Sequence, residues 1–190
     1  VHASELIKWN RKINLTSITR PKDIAVKHFL DSLPPVRFVQ DNARMLDIGS
    51  GGGFPGIPLK ILNPSLKVML IDGTRKKVNF LKHALRTLKL EGIDARQIRA
   101  ENLLEDATYL NLFDIIISRA LSSLGQFVKM AVPLLAKQGT IMAMKGEVSQ
   151  NELDAIGFDV LKDAYHLEVQ NYKLPSMEAD RSLVIIRHLR

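Results

Sequence analysis

Short apolar runs alternate with amphipathic segments through the middle of the chain. Five runs predict strands, at residues 44–49, 67–72, 95–100, 113–120 and 139–146. Between them, residues 55–62, 74–90 and 123–137 carry apolar positions at helical spacing, and Gly92 and Gly139 serve as stop signals after the second and third. Such alternation predicts a parallel sheet with helices on both faces.

The two ends of the chain follow different patterns. Residues 4–15 and 21–33 predict two helices before the first strand, the second ending at Pro34 and Pro35. A short helix at 151–156 precedes two further strands, at 158–170 and 182–189, whose connection is too short for a crossover helix and therefore predicts an antiparallel edge pair. The expected fold is α/β and Rossmann-like. We expect one domain, with a helical cap at 1–40 and a core at 41–190.

Charge and composition narrow the partners. The net charge of +7 and the pI near 9.7 favour a polyanion, nucleic acid first. The absence of cysteine excludes disulfides, thiolate metal sites and cysteine nucleophiles, and the five histidines show no ligand spacing, so we expect no metal. No apolar run is long enough for a membrane span, and no signal peptide is visible after Val1, taken as a trimmed start. A cytoplasmic monomer is expected.

The segment MLDIGSGGGFPGIPL, residues 45–59, holds the main candidate site. Residues 51–56 fit G-x-G-x-x-G, which suggests a dinucleotide. The predicted strand ends at Ile48, however, so the first turn glycine is Gly49, and Phe54 then occupies the third glycine's place. In this frame an acidic residue, Asp47, precedes alternating glycines, a form typical of S-adenosylmethionine enzymes. Asp72 at the end of the second strand would bind the ribose diol through its two oxygens, the alternative being a helix N-cap.

Several motifs carry a resemblance to a known family. They are NLTSI, KHFLDSL, DIGSGGGFPGIPL, IDGTRKKVNFL, IISRAL, MKG and DRSLVII, found in that order between about Trp9 and Ile186. The chain resembles the GidB/RsmG family of bacterial 16S ribosomal RNA (guanine-N7) methyltransferases. The resemblance implies S-adenosylmethionine as cofactor, S-adenosylhomocysteine as product, and 16S rRNA or the small ribosomal subunit as partner. The candidate cofactor-binding residues are Asp47, Gly49, Ser50, Gly51, Gly53, Phe54, Asp72, Thr74, Ala100, Glu101 and Arg119.

Methylation at guanine N7 agrees with what the chain lacks. N7 carries a lone pair and no proton, so positioning alone is needed. The chain has ISRA where exocyclic-amine methyltransferases commonly carry Asp/Asn-Pro-Pro-aromatic, and it has no cysteine for attack at pyrimidine C5. Ser118 and Arg119 are the candidate catalytic residues. Arg119 could order the cofactor and donate a hydrogen bond to the guanine O6 edge, or simply pair with a nearby carboxylate such as Glu101.

Further polar residues are candidates for the acceptor side. His28, Asp31 and Ser32 share a helical face and are expected to line the acceptor pocket; they are too local for a hydrolytic triad. Lys145 and Arg181 would bind phosphate or remain solvated. Six basic residues of the 74–90 helix form an RNA track or a solvated face: Arg75, Lys76, Lys77, Lys82, Arg86 and Lys89. Two rival functions stay open, an NAD-dependent oxidoreductase and a non-catalytic rRNA-binding assembly factor.

Overall fold

The computed structural model describes residues 1–119, 123–157, 165–175 and 179–188 of the chain. One seven-stranded sheet organises them, with strands β1 (Arg44–Ile48), β2 (Lys67–Ile71), β3 (Ile93–Arg96), β4 (Phe113–Arg119), β5 (Leu135–Lys145), β6 (Tyr165–Lys173) and β7 (Asp180–His188). The α-helices are α1 (His2–Asn10), α2 (Pro21–Ile24), α3 (Gly56–Leu62), α4 (Arg75–Leu88), α5 (Leu124–Ala131) and α6 (Gln150–Asp154).

The strand order is β3-β2-β1-β4-β5-β7-β6. Strands β1 to β5 pair in parallel, whereas β7 pairs antiparallel with both β5 and β6. This confirms the predicted sheet and its antiparallel edge pair. The chain runs outward from β1 to β3 and then returns to β4 on the other side of β1. The carboxyl ends of β1 and β4 therefore flank the point where a ligand crevice forms in open α/β sheets.

Two apolar layers cover the sheet, one on each face. Consecutive strand residues alternate between them, so that Met45 faces the layer containing Phe80 of α4, and Leu46 faces the layer containing Phe127 of α5. Ile115 and Ile116 of β4 divide in the same way. The strands therefore read as continuous apolar runs, as expected for a sheet buried on both faces.

Helix α5 is shorter than the pattern predicts, and the strand after it is longer. The helix ends at Ala131, a 3₁₀ turn covers Val132–Leu134, and β5 begins at Leu135. Pro133 is the physical reason, because proline removes an amide hydrogen and its ring crowds the preceding turn. Gly139 consequently lies within β5 rather than after a helix.

Other element bounds also differ from the predictions. β3 starts at Ile93 and stops at Arg96, which pairs with Ile71, because β2 ends there and offers no further partner. Helix α4 is closed by Lys89 in the left-handed conformation, φ 51°, and not by Gly92. The predicted helix at 21–33 divides into α2, a π turn at Ala25–Phe29 and a 3₁₀ turn at Leu30–Ser32. The predicted strand residues 120, 158–164 and 189 lie outside the described residues.

The segment before β1 joins the core through α1. Leu6 is fully buried in the same layer as Phe80, and Glu5 accepts a hydrogen bond from His83 of α4 at 2.6 Å. A further 3₁₀ turn at Pro34–Phe38 leads the chain into the sheet. Among the described residues, no helix is long and apolar enough to cross a membrane.

Leu6→Ala tests whether α1 belongs to the cooperative fold. We expect a loss of about 2–5 kcal/mol in the free energy of unfolding, because the substitution leaves a cavity in a close-packed layer. Denaturant unfolding followed by circular dichroism measures it. Lys8→Ala on the exposed side of the same helix is the control and should change the free energy of unfolding by less than about 0.5 kcal/mol. Equal stability of both variants would show that α1 is not part of the folded unit.

Candidate functional site

The glycine loop after β1 borders a cavity of about 510 Å³ at the carboxyl ends of β1 and β4. Gly49 adopts φ 73°, a left-handed conformation that favours glycine, and a Cβ there would meet no atom within 4 Å. The backbone thus faces open space on this side. The cavity is lined by Leu6, Leu15, Thr16, Ser17, His28, Ile48, Gly49, Ser50, Gly51, Gly52, Phe54, Lys77, Ser118 and Arg119.

Backbone amides of the loop are bonded to the end of β2. The amides of Gly49 and Ser50 both donate to the Ile71 carbonyl, at 2.9 and 3.0 Å. The Gly51 amide donates to Asp72 Oδ2 at 3.2 Å, and the Thr74 amide donates to Asp72 Oδ1 at 2.8 Å. Asp72 is therefore a buried brace between the loop and the start of α4. Thr74, not Asp72, occupies the N-cap position of that helix.

Asp47 lies behind the loop and is completely buried. Its Oδ2 accepts from the Gly56 amide at 2.9 Å, and a Cβ on Gly56 would stand only 2.6 Å from the same oxygen, so glycine alone permits this approach. Oδ1 has no hydrogen-bond partner among the described residues. Burial raises the pKa of Asp47 to about 7, opposed mainly by the bond from Gly56.

Phe54 is buried in an aromatic stack rather than exposed to a base. Its ring lies between the rings of His2 and His28, with centroid distances of 4.9 and 4.6 Å and interplanar angles near parallel. His2 also bonds the Gly52 carbonyl through Nε2 at 2.9 Å. The stack fixes the loop against α1 and against the segment that carries His28. Phe54 also contributes to the lining of the 510 Å³ cavity.

Arg119 ends β4 and reaches across the cavity to the N-terminal segment. Its Nη1 donates to the Lys27 carbonyl and its Nη2 to His28 Nδ1, both at 3.1 Å, and its guanidinium lies 5.3 Å from the Phe54 ring centroid. The carboxylate nearest to it is Asp31, at 3.6 Å. The predicted alternative, a pair with a nearby carboxylate, is met by Asp31 and not by Glu101, whose side chain is exposed in the 3₁₀ turn after β3.

The contacts of His28 fix its protonation state. Nδ1 accepts from Arg119, which has no acceptor atom, so Nδ1 carries no proton; Nε2 then donates to Thr16 Oγ1 at 2.9 Å. Burial, together with the charge of Arg119, lowers the pKa of His28 to about 4. His28 is therefore a neutral acceptor that holds Arg119 in place at neutral pH.

A second cavity, of about 390 Å³, lies on the far side of His28 and Arg119, which line both cavities. We call the 510 Å³ space the glycine-loop cavity and this one the basic cavity. The basic cavity is lined by Ile18, Lys27, His28, Asp31, Arg119, Met144, Lys145, Gly146 and Arg181. Lys145 pairs with Glu152 at 2.8 Å, and Arg181 lies 3.6 Å from Asp31.

The structure thus brings four of the five predicted acceptor-side residues together. Ser32 is the exception: it is fully buried, and its hydroxyl donates to the His28 carbonyl of the preceding turn. Ser118 borders the glycine-loop cavity, but its hydroxyl donates to the Ile48 carbonyl at 2.6 Å. Because this bond ties β4 to β1, Ser118 has a structural role in this arrangement.

The remaining predicted cofactor residues stand at the ends of β2 and β3. Ala100 and Glu101 begin the 3₁₀ turn at Ala100–Glu105. Their neighbours line a third cavity, of about 430 Å³, made by Gly73, Gln97, Ile98, Arg99, Asn102, Leu103, Asp106 and Tyr109. Gly53 lies against Ile57 and His2, outside the lining of the glycine-loop cavity.

Sequence reasoning missed three kinds of site residue. The sequence pattern places Lys77 only on a basic helix, yet Lys77 borders the glycine-loop cavity and lies 3.9 Å from Asp72. Thr16 and Ser17 line the same cavity, and their place in the NLTSI motif indicates no individual role. Tyr172 of β6 donates to Asp31 Oδ1 at 2.9 Å, and nothing in the local sequence signals this contact.

Solved structures share this fold. A SAM-dependent methyltransferase from Aquifex aeolicus matches with a TM-score of 0.67 at 16% identity, over 97% of this chain and 98% of that one. TYW2 of M. jannaschii, solved in complex with AdoMet, matches with a TM-score of 0.64 at 17% identity, over 85% of this chain and 76% of that one. The fold is therefore the Rossmann-like class I fold of S-adenosylmethionine-dependent methyltransferases.

Sequence comparison identifies the family. The sequence model of the GidB family, described as rRNA small subunit methyltransferase G, matches residues 2–184. The ribosomal RNA small subunit methyltransferase G of Geobacter sp. strain M21 is 47% identical over 191 residues, covering 97% of this chain and 84% of that protein. That of Oceanobacillus iheyensis is 35% identical over 198 residues, covering 100% and 81%. The chain belongs to the GidB family, which confirms the family and the enzyme class that the motifs predicted.

The residues present fit S-adenosylmethionine, the cofactor of this family and fold. The glycine-loop cavity lies within the usual volume range of small-molecule sites. Asp72 uses one lone pair of each oxygen on a backbone amide, so a second lone pair on each is left for a vicinal diol.

The raised pKa of Asp47 predicts how stability depends on pH. Its ordinary value is 3.8 and its folded value about 7, so the stability it contributes is fully present below about pH 4 and is lost as pH rises to about 7. Asp47→Asn removes this titration. The stability of the variant relative to the natural chain should therefore rise by about 2–4 kcal/mol between pH 4 and pH 7.5. Denaturant titrations across this range measure it, and a constant difference would contradict a raised pKa.

Proposed function

We propose that this chain transfers a methyl group from S-adenosylmethionine to N7 of a guanine in 16S ribosomal RNA. The observation that carries the proposal is the wall shared by the glycine-loop cavity and the basic cavity. His28 and Arg119 line both, so a cofactor in the first and a nucleotide in the second would meet at these two side chains.

The cofactor-binding residues divide between two parts of the site. Gly49, Ser50 and Gly51 would hold the methionyl part along the bare backbone, with Asp47 behind them. Asp72 would bind the ribose diol, and the third cavity, beside Ala100 and Glu101, would receive the base of the nucleoside. Phe54 lines the glycine-loop cavity, and Thr74 and Gly53 support this arrangement from outside the cavities. When bound, S-adenosylmethionine supplies an electrophilic methyl group on its sulfonium.

The reaction requires no proton transfer by the protein to generate the nucleophile. Guanine N7 has a lone pair and no proton to remove, so no side chain has to act as a base. The protein's part is to hold the base in line, and effective concentration can supply roughly 7–11 kcal/mol of the barrier. Arg119 would donate to guanine O6, next to N7, as arginine does in base readout. The neutral acceptor His28 keeps Arg119 oriented for this contact.

The RNA would follow the basic surfaces. Lys145 and Arg181 flank the basic cavity and would bind phosphates, and the basic residues of α4 would extend the track. On this proposal residues 1–190 act as a single methyltransferase domain, in which 1–40 form the cap and 41–190 the core. We further propose that it acts as a monomer in the cytoplasm, without metal and away from membranes.

Mass spectrometry of rRNA fragments after incubation with labelled S-adenosylmethionine tests the proposal. We expect one labelled 7-methylguanine in small-subunit rRNA. Calorimetric titration with the cofactor and with NAD separates the rivals: an oxidoreductase would bind NAD, and a non-catalytic assembly factor would bind rRNA without methylating it. No cofactor binding at millimolar concentration would exclude the enzyme.

Asp72→Ala should weaken cofactor binding by about 1.5–3 kcal/mol, because it removes charge-assisted hydrogen bonds and frees the Gly51 amide. Calorimetry measures the dissociation constant. The exposed Asp94→Ala at β3 is the matched control and should bind the cofactor as the natural chain does. Unchanged affinity in the Asp72 variant would leave that residue only the structural role of bracing the loop.

Arg119→Ala should lower turnover by about 10- to 100-fold, the size of a lost charge-assisted hydrogen bond, while RNA affinity falls less than about threefold. Single-turnover methylation and filter binding measure the two quantities. Arg44→Ala, at the opposite end of the sheet and paired with Asp114, is the control for loss of an arginine. Equal losses of turnover and RNA affinity would make Arg119 a phosphate contact.

A further inference from the structure

Asp31 is the single carboxylate among the described residues that line the basic cavity. Four cationic residues line it as well: Lys27, Arg119, Lys145 and Arg181. In a cavity that receives a polyanion, a carboxylate repels the phosphate groups and weakens binding. Ion pairs with Arg119 and Arg181, each at 3.6 Å, offset part of this cost, and a hydrogen-bond donor of the ligand would offset more of it.

The hydrogen bonds of Asp31 leave it room to accept. Tyr172 donates to Oδ1 at 2.9 Å. Arg119 approaches Oδ2 and Arg181 approaches Oδ1 only to 3.6 Å, beyond the usual range of a hydrogen bond. Within the described parts of the chain, no group donates a hydrogen bond to Oδ2. A carboxylate offers about four lone pairs, so most of this capacity stays available on the cavity side.

The order of donor and acceptor on this wall matches one edge of guanine. Guanine carries an acceptor, O6, next to a donor, N1–H, with the N2 amino group beyond it. Arg119 supplies donors next to the acceptor Asp31, in the complementary order. Adenine presents the reverse, a donor amino group next to the acceptor N1, and would place a donor against Arg119 and a lone pair against the carboxylate.

We propose that Asp31 reads the N1–H of the acceptor guanine and is a specificity-determining residue of the site. The proposal rests on the proposed function, which it deepens. In this arrangement guanine O6 accepts from Arg119 and N1–H donates to Asp31. Guanine N7, which lies on the opposite side of O6 from N1, then faces the glycine-loop cavity. Ile18 and Met144 offer the cavity's apolar surface for the base faces. Tyr172 is a positioning residue that orients the carboxylate.

Methyl transfer to modified RNA tests this assignment. Once the acceptor position is located, it is replaced in a synthetic rRNA fragment by N1-methylguanosine, which keeps O6 and N7 but cannot donate from N1. Inosine, which keeps N1–H and loses only the N2 amino group, is the matched control. We expect the natural chain to lose about 10- to 100-fold in kcat/KM on N1-methylguanosine and less than about tenfold on inosine.

The variant arm separates base reading from structure. In Asp31→Ala the preference for guanosine over N1-methylguanosine should fall below about threefold, because the two changes remove the same contact and are not additive. Asp31→Leu, which is similar in size and has no acceptor atom, provides a second variant should the alanine variant fold poorly. Tyr172→Phe should keep most of the preference, and Asp41→Asn at an exposed, remote position should keep all of it.

The outcomes are distinct from those of the proposed function. If the natural chain does not methylate the guanosine RNA at all, the proposed function fails. If it methylates guanosine and N1-methylguanosine within threefold of each other, only the role of Asp31 is overturned. The role is likewise overturned if a folded Asp31 variant retains the full preference, because a merely structural carboxylate would change overall activity without changing this ratio.

Discussion

The hydrogen bond from the Gly56 amide to the buried Asp47 carboxylate is the contact on which the site depends. It joins Asp47, one residue before the end of β1, to Gly56, the first residue of α3, and thereby closes the glycine loop between them. A buried carboxylate without a charged partner is costly, and here the cost is offset by few groups. The loop is therefore held by geometry that any side chain at position 56 would disturb, while its other side remains bare for a ligand.

Arg119 extends this arrangement from the sheet to the N-terminal segment. It stands on β4 beside β1, yet its hydrogen bonds go to Lys27 and His28, far away in sequence. Asp31 then connects the same segment to Tyr172 of β6 and Arg181 of β7, the two antiparallel strands. The helical cap, the central strands and the antiparallel edge thus all contribute to one wall. The strand order alone determines where the crevice lies, whereas these long-range contacts determine which polar side chains line it.

The sheet was predictable because burial on both faces leaves continuous apolar runs in the strands, as in Ile115–Ile117 of β4. The positions of the glycine loop and Asp72 were predictable because each follows a strand, and the carboxyl ends of neighbouring parallel strands lie side by side. The helix limit at Pro133 was missed because apolar periodicity continued past the proline. The pairing of Asp31 with Arg119 and Tyr172 could not be predicted, since it depends on how distant elements cross. The inward turn of Ser32 depends on a π turn that no residue pattern announces.

The aromatic stack on the loop has an optical consequence. Ring contacts run from Trp9 to Phe80 at 5.8 Å, from Phe80 to His2 at 6.2 Å, and through Phe54 to His28. Trp9 is the single tryptophan of the chain. Its emission therefore comes from one defined place, separated from Phe54 of the loop by the rings of Phe80 and His2. Trp9 of α1 is therefore an intrinsic fluorescent probe of the helix that packs against the glycine loop.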